Sequence, residues 1–257
     1  MTHKTEEDNP WNLLRYGNAA SGLVLLQQRH RNDPGASEIV ELGVAYLWLG
    51  KYQEAEQHFR HAIKAHRHSL DVFFGMAGTA KWCVDEHAAA VEYWHSGLKA
   101  QYADAGGLGV KIPLLLFVAS VLNPQVFLGK KAEEILTKKI EDPRAERWPG
   151  SLTKFVLGRD SNIESIMGFK PWPITDLEEA ERKRREEADK QSRKWKMQFY
   201  GHILEFYNGV LTRKQLSEFM RVATDTSQSE FSNEHYFLSL MWSEEFFIAR
   251  HETQKSA

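Results

Sequence analysis

The stretch Ala36–Arg67, ASEIVELGVAYLWLGKYQEAEQHFRHAIKAHR, constrains the fold more than any other part of this chain. Gly43, Tyr46, Gly50, Tyr52, Ala55, Phe59 and Ala62 put small and aromatic residues at the steps of a helix, a turn and a second, antiparallel helix. Gly50 falls where the turn must be. Ala55 and Ala62 are small where the helices would approach, and Tyr46 and Phe59 are large where the space between them needs filling. The spacing predicts one helix over Ser37–Leu49 and a second over Tyr52–His66. Two helices alone cannot bury their shared apolar face, so the stretch demands neighbours.

The neighbours are present. In the segment DVFFGMAGTAKWCVDEHAAAVEYWHSGLKAQ, Gly78, Ala90, Trp94 and Gly97 stand 35 residues beyond Gly43, Ala55, Phe59 and Ala62. Two positions depart: Lys81 stands where Tyr46 stood, and Asp85 replaces the turn glycine Gly50. Upstream, Asp8 or Asn9 can cap a helix with Pro10 near its first position. That helix ends at Gly17, and a second runs over Asn18–His30. Gly17, Gly22, Leu26 and Pro34 then have the spacings of a turn glycine, a small residue, a large residue and a closing proline, as in a degenerate first unit.

This recurring pattern resembles the tetratricopeptide repeat (TPR), whose unit of about 34 residues is one helix–turn–helix. The resemblance implies an all-α fold, a TPR-like right-handed superhelix of antiparallel helix pairs. To this the sequence adds a long charged helix and an aromatic C-terminal helix. The expected organisation is a flexible tail over 1–9, TPR-like repeats over 10–105 and diverged helical pairs over 106–168. A Pro-rich linker over 169–174 and a C-terminal helical part over 175–257, packing on the array, complete it.

Within the diverged part, Gly106, Gly107 and Gly109 read as a connector. They follow no strand and lack the arrangement of a phosphate-binding loop. Ile112–Leu122 is apolar all round and belongs in the middle of a stack, with Pro113 in its first turn and Asn123-Pro124 at its end. Lys130–Ile140 has helical spacing of charged and apolar residues. Trp148, Pro149, Leu152, Phe155 and Gly158 are similar to segments that follow the main repeats in bacterial TPR proteins, including some lipoproteins. They predict a short helix over Pro149–Leu157 capped by Gly158, then another over Ser161–Met167. Leu177–Tyr207 reads as one long helix whose first half mixes both charges at i,i+4 steps. Asn208-Gly209 makes a turn, and Thr212 or Ser217 starts the next helix. The last helix, Phe231–Ala249, carries Tyr236, Phe237, Leu240, Met241, Trp242, Phe246 and Phe247, more aromatic surface than a free terminal helix should expose.

Net charge is −2, so no global field recruits nucleic acid or an anionic membrane. Glu178, Glu179, Glu181, Glu186 and Glu187 oppose the neighbouring Arg/Lys run and would repel phosphates. The one cysteine, Cys83, fits a reducing compartment, and the polar N-terminal stretch lacks the apolar run of a secretory signal, so a cytoplasmic location is expected. His58 and His61 are three apart on one helix, but the repeat pattern turns that face to solvent, so no metal site is expected. No Ser–His–Asp order, G-x-S-x-G or H-E-x-x-H motif occurs, and no cofactor is implied. A non-enzymatic protein is expected.

The resemblance also implies that the first helix of each pair lines a concave face. Here that face would comprise Val40, Glu41, Val44, Leu47 and Trp48, followed by Val72, Gly75, Met76, Thr79 and Trp82. Either a partner segment occupies it, with Trp48 and Trp82 as anchors, or the chain fills it with its own aromatic C-terminal helix. With GLGVKIPLLLFVAS after the second repeat, the chain is similar to small bacterial TPR proteins of the immunity type, which bind and block a toxin. The partner is then another protein, and Glu41, Glu54, Asp85 and Glu86 are the acids that would suit a basic toxin. An adaptor or chaperone holding a peptide segment is the alternative within the same class. A nucleic-acid binder or enzyme using Arg182–Lys196 is the alternative from another class. Oligomeric state is left open.

Overall fold

The computed structural model describes residues 19–32, 36–65, 70–100, 109–127, 129–141, 150–159, 201–217 and 244–255, together with positions 10, 13, 183 and 190. Among these residues the chain is helix and turn, without an extended strand. In chain order the helices are α1 (Ala19–Asn32), α2 (Ala36–Trp48), α3 (Tyr52–Ala65), α4 (Asp71–Trp82) and α5 (His87–Gly97). They continue with α6 (Lys111–Leu122), α7 (Gly129–Ile140), α8 (Gly150–Val156) and α9 (Glu244–Lys255). Residues 201–207 and 213–217 are also helical. The expected tail over 1–9, most of the leading helix over 10–17, Gly106 and Gly107, Ser161–Met167, and the linker over 169–174 lie outside the described residues. So do the charged helix up to residue 200, apart from positions 183 and 190, and the first part of the last helix, 231–243.

The helices stack mainly on their chain neighbours: α1 on α2, α2 on α3, α3 on α4, α4 on α5, and so on to α8. Connections of three and four residues join α2 to α3 and α4 to α5, which forces each packed pair to run antiparallel. Both pairs are built on the same positions. A β-carbon on Gly43 would lie 2.7 Å from Phe59 Cε1, and one on Gly78 would lie closer still to the Trp94 indole. Glycine in a helix interior sacrifices about 0.5–1 kcal/mol relative to alanine. Here it is tolerated because the ring of the partner helix fills the space.

One device ends four helical segments. Lys51 N–H bonds the Tyr46 carbonyl at 2.9 Å, Glu86 that of Lys81 at 3.0 Å, Arg159 that of Lys154 at 2.8 Å and Val210 that of Glu205 at 2.8 Å. Just before each donor sits a residue in the left-handed region: Gly50 (φ 70°), Asp85 (φ 60°), Gly158 (φ 72°) and Gly209 (φ 75°). This is the Schellman stop, which satisfies carbonyls that a helix end would otherwise leave open. Asp85 keeps the geometry of the glycine it replaces. After Gly209 a capping box starts the next turn. Thr212 N–H donates to Gln215 Oε1 at 2.9 Å, while Gln215 N–H donates to Thr212 Oγ1 at 3.3 Å.

The core is centred on α6, whose residues from Ile112 to Ser120 are all buried. Pro113 lies in the first turn, where its missing N–H costs nothing. A helix buried on every side needs neighbours all round, and α4, α5, α7 and α9 supply them. Leu114, Leu115, Leu116 and Phe117 together contribute roughly 6–12 kcal/mol of gross burial energy before chain entropy is subtracted.

Two expectations need correction. The last helix does not stop at Ala249 but runs to Lys255. The residues just past Ala249 pack: Arg250 lies over the Phe117 ring at 5.2 Å and donates from Nε to the Val156 carbonyl at 3.1 Å. His251 stacks on Tyr207 at 4.7 Å with planes 4° apart. The second correction concerns His58, which does not lie on a solvated face. It is half-buried and stacks on Tyr46 at 5.2 Å. The reason is α1, whose Gln27 donates to the Tyr46 hydroxyl at 3.0 Å and so anchors α1 beside that ring. His61, one turn on, is exposed as expected.

Candidate functional site

All ten residues expected to line the concave face fall on two helices that touch one another, α2 and α4, and two of them, Leu47 and Gly75, are buried. Val40, Glu41, Val44 and Trp48 lie on α2, and Val72, Met76, Thr79 and Trp82 on α4. Steps of three and four residues keep each set on one side of its helix. The structure divides them by depth. Val44, Met76 and Thr79 are buried, while Val40, Glu41, Trp48, Val72 and Trp82 are half-buried. Val44 and Met76 belong to the same core as α6 and as Phe246 and Ile248 of α9. Val44 lies where α4 packs on α2, and α6 docks beside α4, so the floor of the face is covered while its margins stay accessible.

The margin at Trp82 is the most differentiated. Its indole stacks on buried Trp94 at 5.6 Å and meets the His87 ring, tilted by 33°, at 4.1 Å. Asn123 Nδ2 lies 3.1 Å from His87 Nδ1. With the Asn123 amide donating, Nδ1 is the acceptor, and the ring proton of neutral His87 sits on Nε2. That nitrogen faces Asp85 Oδ1 at 3.6 Å. Lys81 Nζ bonds Glu86 Oε2 at 2.7 Å across the turn. The side chain of Asp85 is 96% exposed, so its charge is free to meet a partner despite the nearby histidine.

Four elements build this corner. The end of α4 supplies Lys81 and Trp82, the left-handed turn supplies Asp85 and Glu86, and the start of α5 with the end of α6 supplies His87 and Asn123. Asp85 and Glu86 were among the acids singled out from sequence, but His87 and Asn123 were not. Asn123 was legible only as a helix terminator beside Pro124. The signal for His87 was its place just past the turn, where a ring can fold back onto Trp82. Glu54 is exposed on α3, and Glu41 is half-buried on α2, so the four acids do not form one cluster.

Behind the corner the groups are structural. The Cys83 thiol is pushed up to about 11, chiefly by burial, against a lowering contribution from its bond with the Tyr52 hydroxyl. The Tyr52 hydroxyl is also raised, first by burial and then by Cys83. Tyr93 of α5 donates to Glu56 Oε1 of α3 at 2.5 Å, and Arg60 Nε lies 3.5 Å from the same oxygen. Burial, followed by that bond, holds the Tyr93 proton far above the usual phenol range. The Tyr52–Cys83 bond ties α3 to the end of α4, and the Tyr93–Glu56 bond ties α3 to α5. Among the described residues no group of three or more His, Cys, Asp or Glu side chains is placed to hold a metal ion. No described helix is long and apolar enough to cross a membrane. Comparison of the chain with protein-family models, curated proteins and solved structures finds no match.

Proposed function

We propose that the chain is a non-enzymatic, TPR-like protein-binding scaffold that acts as an immunity-type inhibitor, covering a cognate bacterial toxin and blocking it by occlusion. The observation that carries this proposal is the repetition of one helix-pair design at a spacing of 35 residues. Gly43 faces Phe59 as Gly78 faces Trp94, and Gly50 and Asp85 make the same left-handed stop. Stacked pairs of this kind present a rigid, extended surface, and rigid surfaces bind other proteins with little ordering cost. A right-handed superhelix is the expected course of such a stack.

The contact surface is assigned to the margin around Trp82, Asp85 and Glu86 and to the half-buried rim at Val40, Glu41, Trp48 and Val72. Val44, Met76 and Thr79 support it from below. A half-exposed tryptophan beside exposed carboxylates suits a partner that is apolar at one point and basic around it. The interior location follows from the same reading: a toxin inhibitor works in the cytoplasm of the cell it protects.

The test is purification with co-expressed candidate toxins, beginning with the products of adjacent genes. The expected result is a stoichiometric, nanomolar complex that abolishes toxicity. Asp85→Asn with Glu86→Gln should weaken it at least about tenfold while leaving the thermal midpoint nearly unchanged, because asparagine tolerates the left-handed turn and glutamine can still accept from Lys81. Absence of any specific stoichiometric protein partner would remove the interaction reading. Binding of many short peptides, lost on Trp48→Ala or Trp82→Ala, would point to an adaptor instead. Steeply salt-dependent RNA or DNA binding would point to a nucleic-acid protein.

A further inference from the structure

The turn that follows the helical residues 201–207 holds the one Asn-Gly step of the chain, Asn208-Gly209. Every other asparagine precedes a residue that carries a β-carbon. Glycine has none to shield its backbone nitrogen, so this is the step at which an asparagine side chain is most open to attack from the main chain. Asparagine is among the thermolabile residues, and a reaction within one dipeptide gains from proximity. Both residues are exposed, so water reaches them. The hydrogen bonds of the helix stop stand in the way. Asn208 N–H donates to the Leu204 carbonyl at 2.9 Å, Gly209 N–H to that of Phe206 at 3.0 Å and Val210 N–H to that of Glu205 at 2.8 Å. These are the two closing bonds of a Schellman stop, with Asn208 as the last position before the left-handed glycine.

We propose that Asn208 is a deamidation site guarded by this helix stop, and that the reaction, once it occurs, keeps the turn open. The Gly209 backbone nitrogen gives up its proton to hydroxide and attacks Cγ of Asn208. The N–Cγ bond forms, the Cγ–Nδ2 bond breaks, and the side-chain nitrogen takes up a proton and leaves as ammonia. Water then opens the cyclic imide at one of its two carbonyls, leaving an aspartyl or an isoaspartyl residue. One water is consumed and one ammonia released, and nothing is oxidised or reduced. The guard is the Gly209 N–H. Bonded to Phe206, it retains the proton that must leave, and it fixes the nitrogen in the last turn of the helix. The reaction therefore proceeds from the open turn, and the folded rate is the open-chain rate multiplied by the open fraction.

Neither product restores the stop. An isoaspartyl link adds one methylene to the main chain between the helix and Gly209, so the ring closed by the Val210–Glu205 bond no longer has its length. Either product places a new carboxylate at the C-terminal end of a helix, where the free carbonyls disfavour negative charge. Glu205 stands three residues before it, on the same side of the helix, and adds a like charge. His202, with Nδ1 2.8 Å from Glu205 Oε2, is already engaged there. The modified fraction thus records the time the turn has spent open, and the connection to the helical residues 213–217 stays loosened.

Peptide mapping by mass spectrometry, resolving asparaginyl, aspartyl and isoaspartyl forms, tests this on the full chain held at pH 8 with and without denaturing urea. Asn208 should react at least about tenfold more slowly in the folded chain, a factor set by the free energy of opening the turn. The same factor should match, within about threefold, the protection of the Gly209 and Val210 amides against hydrogen exchange in the folded chain. Val210→Pro deletes the N–H that bonds Glu205 and leaves the Asn-Gly step intact, so it should speed the folded reaction at least about fivefold. Equal rates in the folded and unfolded chains would overturn the proposal, and so would a folded rate that Val210→Pro leaves unchanged. If that variant does not fold, the wild-type comparison decides alone, because slowing and amide protection that differ by about tenfold or more also overturn it.

Discussion

Gly78 lies against the indole of Trp94, and Trp94 Nε1 donates to the carbonyl of Gly75, 3.0 Å away, on the same turn of α4. Both contacts come from one turn of α4 and meet the Nε1 edge of the ring, which fixes its position. A β-carbon at Gly78 would fall well inside van der Waals distance of the indole, which cannot withdraw without breaking its hydrogen bond. Gly78→Ala should therefore destabilise by about 1–3 kcal/mol of overpacking, outweighing the gain in helix propensity of up to about 1 kcal/mol. At Gly43 the facing group is Phe59, which has no hydrogen bond to lose, so Gly43→Ala should cost less than Gly78→Ala. Urea midpoints of the two variants, with unchanged m-values, decide it; equal midpoints would contradict the locking role of the Gly75 bond.

The left-handed stops give a paired prediction. Gly50 and Asp85 hold φ of 70° and 60° at corresponding turns, but only glycine adopts that region without penalty. Gly50→Ala should lower stability by about 1 kcal/mol. Asp85→Gly should raise it by up to about 1 kcal/mol, since an exposed carboxylate 3.6 Å from His87 contributes little. Thermal melts should move in opposite directions for the two variants. A fall in both would mean that Asp85 has a role in the turn that strain relief does not replace.

Much of the fold was legible because the decisive signals are local. Gly43 with Phe59 and Gly78 with Trp94 sit at a fixed separation within one helix pair, so sequence spacing alone brings them together. Ile112–Leu122 was legible as a central helix because every side is apolar. What escaped depended on contacts made far along the chain. Arg250 and His251 look like solvent-facing residues, and nothing near them in sequence reveals Phe117, Val156 or Tyr207 beneath. His58 looked solvated because the pattern of α3 does not encode the arrival of α1. The depth of Val44, Met76 and Thr79 is likewise set by which helices dock beside α2 and α4, and no spacing within α2 or α4 reports it.

The C-terminal anchor can be tested at Arg250. Among the described residues its guanidinium donates a hydrogen bond to Val156 and makes a cation–π contact over Phe117. Burial lowers its proton affinity, which Glu133 and Tyr207 partly restore. A hydrogen bond from a charged group contributes about 1.5–3 kcal/mol and a cation–π contact about 0.5–2 kcal/mol, so Arg250→Ala should cost roughly 2–4 kcal/mol after partial relaxation. Arg250→Lys should recover little, because an ammonium cannot present a planar face to Phe117 and an N–H to Val156 together. Chemical denaturation measures the loss. Hydrogen exchange localises it, with peptides from Glu244–Lys255 losing protection before those from α3. Full recovery in the lysine variant would show that charge alone, without the planar fork, holds α9 in place.

Cys83 offers a test at alkaline pH. Its thiol is pushed from an ordinary 9.0 to about 11 by burial at the end of α4. Thiolate is the reactive form, so a shift of this size lowers the thiolate fraction at pH 8 by about a hundredfold. A disulfide reagent should accordingly react about a hundredfold more slowly with the folded chain than with the urea-unfolded chain at that pH. The same shift links to stability with a definite sign. The unfolded thiol ionises first, so the stability that Cys83 contributes is fully present below pH 9 and is lost as the pH rises through 9 toward 11. Cys83→Ala removes the ionisable group and should flatten that part of the stability profile. Tyr52→Phe removes the hydrogen bond that now lowers the thiol, so it should slow the reaction of the folded chain further. Faster reaction in the phenylalanine variant, with the fold intact, would show that access rather than thiolate fraction governs Cys83.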